Sequence, residues 1–166
     1  KEASTASFKK YGSQIVKNAA ELAKHLKTFG FDLVSGGTDN HLILIDLKNK
    51  KVNGAVVALA LEVAGIVINK NGVPNDPMPP FYPSGIRLGT PAITTRGIKE
   101  KDMAKIAKWI NTVVEEVRDE QLPSEKELRS EFWKAYKSRV GKNKKLLSIA
   151  KEVKAFCAEF PVPGVS

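Results

Sequence analysis

Asn69-Lys-Asn-Gly-Val-Pro-Asn-Asp-Pro77, followed by Ser84-Gly-Ile-Arg-Leu-Gly-Thr-Pro-Ala-Ile-Thr-Thr-Arg-Gly97, is the stretch from which the fold is read. Between its two halves the chain is loop-like, with prolines at 74, 77, 79, 80 and 83. Proline fixes its own φ and withholds a donor, so this segment cannot be regular helix or central strand. After it, Gly and apolar residues alternate around one arginine, Arg87. That pattern predicts a short strand between Ser84-Gly85 and Gly89-Thr90-Pro91 that other backbone approaches closely. An arginine there offers a planar, permanently charged fork that binds a carboxylate or phosphate through two parallel hydrogen bonds. A salt bridge at a surface or interface accounts for Arg87 equally well from these residues alone.

Working outward, Gly65–Ile68 reads as a short apolar strand leading into Asn69-Lys70-Asn71. Upstream of it, Asn53 offers an N-cap to a helix over Gly54–Ala64, apolar nearly all round and so buried on more than one side. Asp32–Ser35 and His41–Leu47 read as two strands joined by Gly36-Gly37-Thr38-Asp39-Asn40. So short a connection makes the pair antiparallel. The N-terminal helix has cap candidates in Ser4, Thr5 and Ser7, an apolar stripe Ile15, Ala19, Leu22, Leu26 and Phe29, and Gly30 as its stop.

Downstream, Pro91 and Thr94–Gly97 introduce a helix from Lys99 to Arg118, whose Glu100 and Asp102 suit the positive end of its dipole. Two further helices follow, Glu125–Arg139 ending at Gly141, and Asn143–Phe160 stopped by Pro161 and Pro163. The sum is an α+β fold: a small antiparallel or mixed sheet with helices packed on it.

The chain has 166 residues, 42% hydrophobic and 27% charged, which suits one soluble domain with a real core. No apolar run approaches the ~18 residues of a membrane span. One cysteine, Cys157, excludes an internal disulfide and is compatible with a reducing cytosol, and its place on an apolar helical stripe makes it a small core residue. Two distant histidines, His25 and His41, and that cysteine make no metal-ligand set. Net charge is +9. Residues 124–154 hold ten Lys/Arg against four Glu, a surplus that either forms a solvated helix face or attracts a polyanion such as RNA. Arg96 reads as a structural ion pair, His41 as a hydrogen-bonded structural histidine, and Trp109 and Trp133 as packing residues.

Three strings, Val67-Ile-Asn-Lys-Asn-Gly-Val-Pro-Asn-Asp-Pro77, Ser84 to Gly97, and Ser35-Gly-Gly-Thr-Asp-Asn-His-Leu42, resemble serine hydroxymethyltransferase. They fall in order, and the similarity runs from about Phe8 to Val117. Strings this long are far more specific than a pattern with wildcards.

The resemblance implies the small C-terminal domain of a type I, aspartate-aminotransferase-like pyridoxal-phosphate fold, with residues 1–118 as its core and 119–166 as a helical tail packed on it. It implies interconversion of serine and glycine, with pyridoxal phosphate as cofactor and tetrahydrofolate as the one-carbon carrier. Arg87 takes the place of the arginine that binds the substrate carboxylate. Asn71, Pro79, Pro80 and Phe81 fall on segments that line the folate site, with Lys70 a further contact. The family's cofactor lysine lies in a Thr-rich His-Lys segment of a large N-terminal domain, and neither His25 nor His41 precedes a lysine. The resemblance therefore implies no catalytic residue in this chain, inactivity in isolation, and three kinds of partner: that large domain, further copies in a homodimer or tetramer, and serine, glycine and tetrahydrofolate, with neither a membrane nor nucleic acid expected. It also implies a cytoplasmic enzyme. The competing readings are a non-catalytic module that binds RNA or another polyanion through 124–154, and a different pyridoxal-phosphate activity such as threonine cleavage.

Overall fold

Apolar residues at helical spacing and capping side chains at helix starts fix the longer elements. The computed structural model describes residues 1–164. Helix α1 (Ala6–Thr28) starts where the Thr5 hydroxyl accepts from the Phe8 amide at 3.2 Å, and it ends before Gly30 at φ 74°. Leu22 and Leu26 on its stripe are buried. A two-residue strand β1 (Asp32–Leu33) follows, shorter than Asp32–Ser35, because Ser35 takes a left-handed φ of 65° and turns the chain away. Strand β2 spans Leu42–Asp46.

Helix α2 (Gly54–Val63) is capped by Asn53, whose side-chain oxygen accepts from the Ala55 amide. The strand after it is not Gly65–Ile68 but β3 (Asn69–Asn71). Ile66 and Ile68 pack on the core as irregular chain, and the ladder forms one step later where strand β4 (Gly85–Gly89) lies within reach. Pro91–Thr95 is a helix of its own, α3, so the helix expected from Lys99 begins only at Met103 as α4 (Met103–Glu116). Helix α5 (Arg129–Val140) starts four residues later than the charge pattern placed it, and α6 (Lys144–Ala158) is capped by the Asn143 side chain.

The four strands form one sheet in the order β1-β2-β4-β3, antiparallel at every pairing. Alternation sorts the two faces. Ile43, Ile45, Ile86 and Leu88 are buried in the core shared with the helices, while Leu42, Leu44 and Arg87 lie on the opposite face. That core is continuous: Tyr136, Val140, Leu146, Ile149 and Phe156 of α5 and α6 belong to the same cluster as the sheet and α1.

One close approach explains a sequence feature. The first residue of α2, Gly54, sits so near β4 that a Cβ would lie 2.1 Å from the Gly85 carbonyl oxygen. Its amide donates to the Pro83 carbonyl at 2.9 Å. This contact joins α2 to the end of the proline loop and sets where β4 begins.

Candidate functional site

Arg87 occupies the middle of β4, with Leu44 of β2 and Asn69 of β3 as its register partners. Hydrogen-bonded strands on both sides hold its backbone. Its side chain is exposed on the sheet face away from the helices. Among the described residues no carboxylate pairs with it; the ion pairs there lie between other residues. A rigid strand thus presents an open guanidinium fork, and the salt bridge that competed with a ligand role is not formed within these residues.

The proline loop, residues 72–84, is folded back on β4 by Asp76. One carboxylate oxygen accepts from the Ser84 amide at 2.9 Å and the Val73 amide at 3.3 Å; the other accepts from the Ser84 hydroxyl at 2.7 Å and the Met78 amide at 3.0 Å. Partial burial pushes this carboxyl upward, but the hydrogen bonds from Ser84, Met78 and Val73 outweigh it and hold the group below the usual aspartate value. Val73 then covers Gly85, where a Cβ would meet the Val73 Cγ1 at 2.4 Å.

The far end of the loop is held by other groups. Lys70 Nζ donates to the Phe81 carbonyl at 2.7 Å and lies 4.0 Å from the centre of the Phe81 ring. Asn53 Nδ2 donates to the Tyr82 carbonyl at 2.8 Å, so one side chain caps α2 and ties down the loop. Tyr82 stacks on Trp133 of α5 with ring centroids 5.8 Å apart. The outcome is that Phe81 is presented to solvent, 68% exposed, on a fixed backbone.

Pro79 and Phe81 line an open groove of about 1420 Å³ between α2, β3, the loop and α5, together with Lys70, Arg129 and Trp133. Asn71, Pro80 and Arg87 are not among its lining residues. Asn71 Nδ2 donates to the Gly72 carbonyl at 2.7 Å, the turn-stabilising arrangement, which leaves its side-chain oxygen and second N–H available. The residues singled out from sequence are thus divided: Pro79 and Phe81 line the groove, Arg87 stands on the open sheet face, and Asn71 and Pro80 lie outside the groove lining.

Several expectations need correction. Arg96 makes no ion pair among the described residues: its guanidinium donates to the main-chain carbonyls of Phe160 at 2.7 Å and Cys157 at 2.6 Å. It therefore caps the carbonyl end of α6, where the helix dipole favours a cation. The His41 side chain is exposed and enters no hydrogen bond among the described residues; only its carbonyl does, accepting from Thr90. Tyr136, by contrast, is not among the residues assigned a role from sequence; it is buried with its hydroxyl donating to the Val56 carbonyl at 2.9 Å. Burial drives its phenol well above the ordinary tyrosine range. Trp109 packs as expected and donates from its indole nitrogen to Glu152 at 2.9 Å. The described residues contain no grouping of His, Cys, Asp and Glu able to hold a metal, and no helix long and apolar enough to cross a membrane.

A family model described as serine hydroxymethyltransferase matches residues 1–110. The chain belongs to the serine hydroxymethyltransferase family. A relative of that name from Desulfotalea psychrophila is 47% identical over 165 residues, covering 99% of this chain and 33% of the relative. Another from Dichelobacter nodosus is 43% identical over 164 residues, covering 99% of this chain and 34% of the relative. The chain thus spans about a third of the length of these serine hydroxymethyltransferases, corresponding to their C-terminal part. Its α+β architecture, with one antiparallel sheet and six helices, agrees with the C-terminal domain of a type I pyridoxal-phosphate enzyme.

Within this serine hydroxymethyltransferase domain, sequence reasoning missed Asp76, the bond from Asn53 to the Tyr82 carbonyl, and the Tyr82–Trp133 stack. Asp76 had a readable signal, since an aspartate before proline is a turn initiator whose carboxylate accepts from amides ahead of it. The stack had none, because it joins residues 51 positions apart.

Proposed function

We propose that this chain is the substrate-positioning domain of a pyridoxal-phosphate-dependent serine hydroxymethyltransferase that interconverts serine and glycine, with tetrahydrofolate carrying the one-carbon unit. The observation that carries this reading is the guanidinium of Arg87, held mid-strand on the open sheet face and paired with no carboxylate among the described residues. A fork of that kind takes an amino-acid carboxylate through two parallel hydrogen bonds and fixes the orientation of the α-carbon. Asn71 contributes an amide with donor and acceptor capacity to spare, and Phe81 an exposed ring. Together with the Pro79-Pro80 turn they suit the polar edge and the flat face of a pterin.

The residues present fit an amino acid and a flat heterocycle but do not themselves make a cofactor cradle. No lysine among the described residues is buried. Pyridoxal phosphate, which supplies an electron sink for a carbanion at the substrate α-carbon, is therefore held by the remainder of the full chain. In this reading residues 1–118 form the small-domain core, 119–166 pack on it, and the cytoplasmic holoenzyme is a homodimer or tetramer. The isolated chain is inactive.

Replacing Arg87 by Lys in the full-length chain tests the reading. The charge stays and the fork is lost, and one charge-assisted hydrogen bond is worth about 1.5–3 kcal/mol. Glycine and serine affinity should fall about 10- to 100-fold in titration calorimetry. Unchanged affinity would remove the carboxylate role.

A second reading rests on the groove. Lys126, Lys134 and Lys137 line it and pair with no carboxylate among the described residues, whereas Glu62 is the acid on its wall. That charge would suit RNA or another polyanion. With Tyr136 buried, the aromatic support from α5 reduces to Trp133, already stacked on Tyr82. The enzyme reading therefore stands first.

A further inference from the structure

We propose that Asp76 is a positioning residue for the co-substrate, the clasp that holds the proline loop against β4 and so places the Pro79–Phe81 turn. The proposal rests on the folate reading above and deepens it. Asp76 touches neither Arg87 nor any residue assigned to the amino acid. What it holds is the loop: four bonds from one carboxylate reach Val73 and Met78 on the loop and Ser84 at its junction with β4. None of the three amides involved has another partner among the described residues, because a segment with five prolines has no regular structure to supply one.

The geometry separates the two ligand elements. Arg87 sits in an interior strand paired on both sides, with Leu44 and Asn69 as its register partners. Its position does not depend on the loop. The Pro79-Pro80 turn has no such ladder. Its near end is fixed by the Met78 amide on Asp76, and its far end by the Tyr82 amide on the Pro79 carbonyl at 2.8 Å, with Lys70 on the Phe81 carbonyl. Releasing the near end lets the turn swing about the far one, and a ligand then bears the ordering cost when it binds.

Asp76→Asn separates these effects. The amide keeps one oxygen but turns an NH₂ toward donors that needed the second; the Ser84 hydroxyl can reverse to accept from it, but at least one loop amide loses its acceptor. In the full-length chain, KM for tetrahydrofolate should rise about tenfold while glycine affinity stays within about twofold and kcat within about threefold, the pattern of lost binding without lost chemistry. Amide exchange at Val73, Met78 and Ser84 should speed up in the same variant. Ser84→Ala removes only the hydroxyl bond and should move the folate KM in the same direction by less.

A folate KM within twofold of wild type, with the three amides exchanging faster, would overturn the positioning role. So would folate and glycine constants rising together, which marks general loosening of the domain. A wild-type chain that binds glycine but no tetrahydrofolate would instead sink the folate reading. Amide exchange alone then decides whether Asp76 holds the loop, and unchanged exchange in Asp76→Asn would end that too.

Discussion

At the first residue of α2, two effects of known size oppose each other. Replacing Gly54 by Ala gains about 1 kcal/mol of helix propensity. The added Cβ, however, would sit 2.1 Å from the Gly85 carbonyl oxygen and 2.8 Å from that of Pro83, both backbone atoms. Overpacking against groups that cannot rotate away costs about 1–3 kcal/mol. The clash should win. Gly54→Ala is expected to destabilise the domain by about 1–2 kcal/mol in denaturant unfolding, and a more stable variant would show that α2 and β4 slide apart freely. Asp76 invites a second test at this scale. Its carboxyl titrates below the ordinary aspartate range in the folded chain, because burial, which opposes ionisation, is outweighed by the hydrogen bonds it accepts. A depressed folded pKa stabilises the fold above the unfolded value and loses that contribution as pH falls through the folded one. The stability difference between wild type and Asp76→Asn should therefore be steady from pH 5 to 8 and shrink below about pH 4. A difference that persists undiminished at pH 3 would mean the charge is not what holds the loop.

Among the elements, Asn53 shows how one side chain can serve two. As an N-cap, Asn and Asp rank alike, so capping alone makes Asn53→Asp neutral. The structure says otherwise, because Nδ2 also donates to the Tyr82 carbonyl. Aspartate keeps the cap and sets an oxygen against that carbonyl. Asn53→Asp should cost about 1 kcal/mol or more by thermal unfolding, and Asn53→Ala about as much again through the lost cap. Equal stability of wild type and Asn53→Asp would place the loop tie outside the energetics. The same case explains what was legible. The cap and the helix were readable because both are written in adjacent residues; the second bond spans 29 positions and was not. Strand β3 was misplaced for a related reason. Gly65–Ile68 has the apolar composition of a strand, yet Asn69-Lys70-Asn71 forms one because β4 is there to pair with. Strand propensity is largely a statement about neighbours, and the neighbour was out of view. The Arg87 strand was legible since glycine alternation and the flanking turns fixed it locally.

For the molecule as a whole, the question is whether α5 and α6 decorate a finished domain or complete it. The sequence separates them by a change in charge and by Leu122-Pro123-Ser124, and from sequence alone no buried partner for them could be named. The structure supplies the partners. Tyr136 is 1% exposed with its hydroxyl on the Val56 carbonyl of α2, Leu146 is fully buried, and Phe156 meets Trp109 of α4 at 5.5 Å between ring centroids. Arg96, between α3 and α4 in the chain, closes the carbonyl end of α6. Deleting residues 119–166 would strip six buried side chains, Tyr136, Val140, Leu146, Ile149, Val153 and Phe156, from their contacts. At about 1.5–3 kcal/mol for each large apolar side chain, the loss matches the whole 5–15 kcal/mol by which a domain of this size is stable. It would also take Phe156 and Glu152 away from Trp109, and remove the Tyr136 hydroxyl from the Val56 carbonyl. A chain ending at Arg118 should therefore show no cooperative thermal transition and should expose apolar surface to a hydrophobic dye, even though it retains every residue assigned to a ligand. A sharp transition in that short chain, with native dispersion of its amide resonances, would mean the helical segment is dispensable and that the sheet with α1, α2 and α4 buries enough by itself.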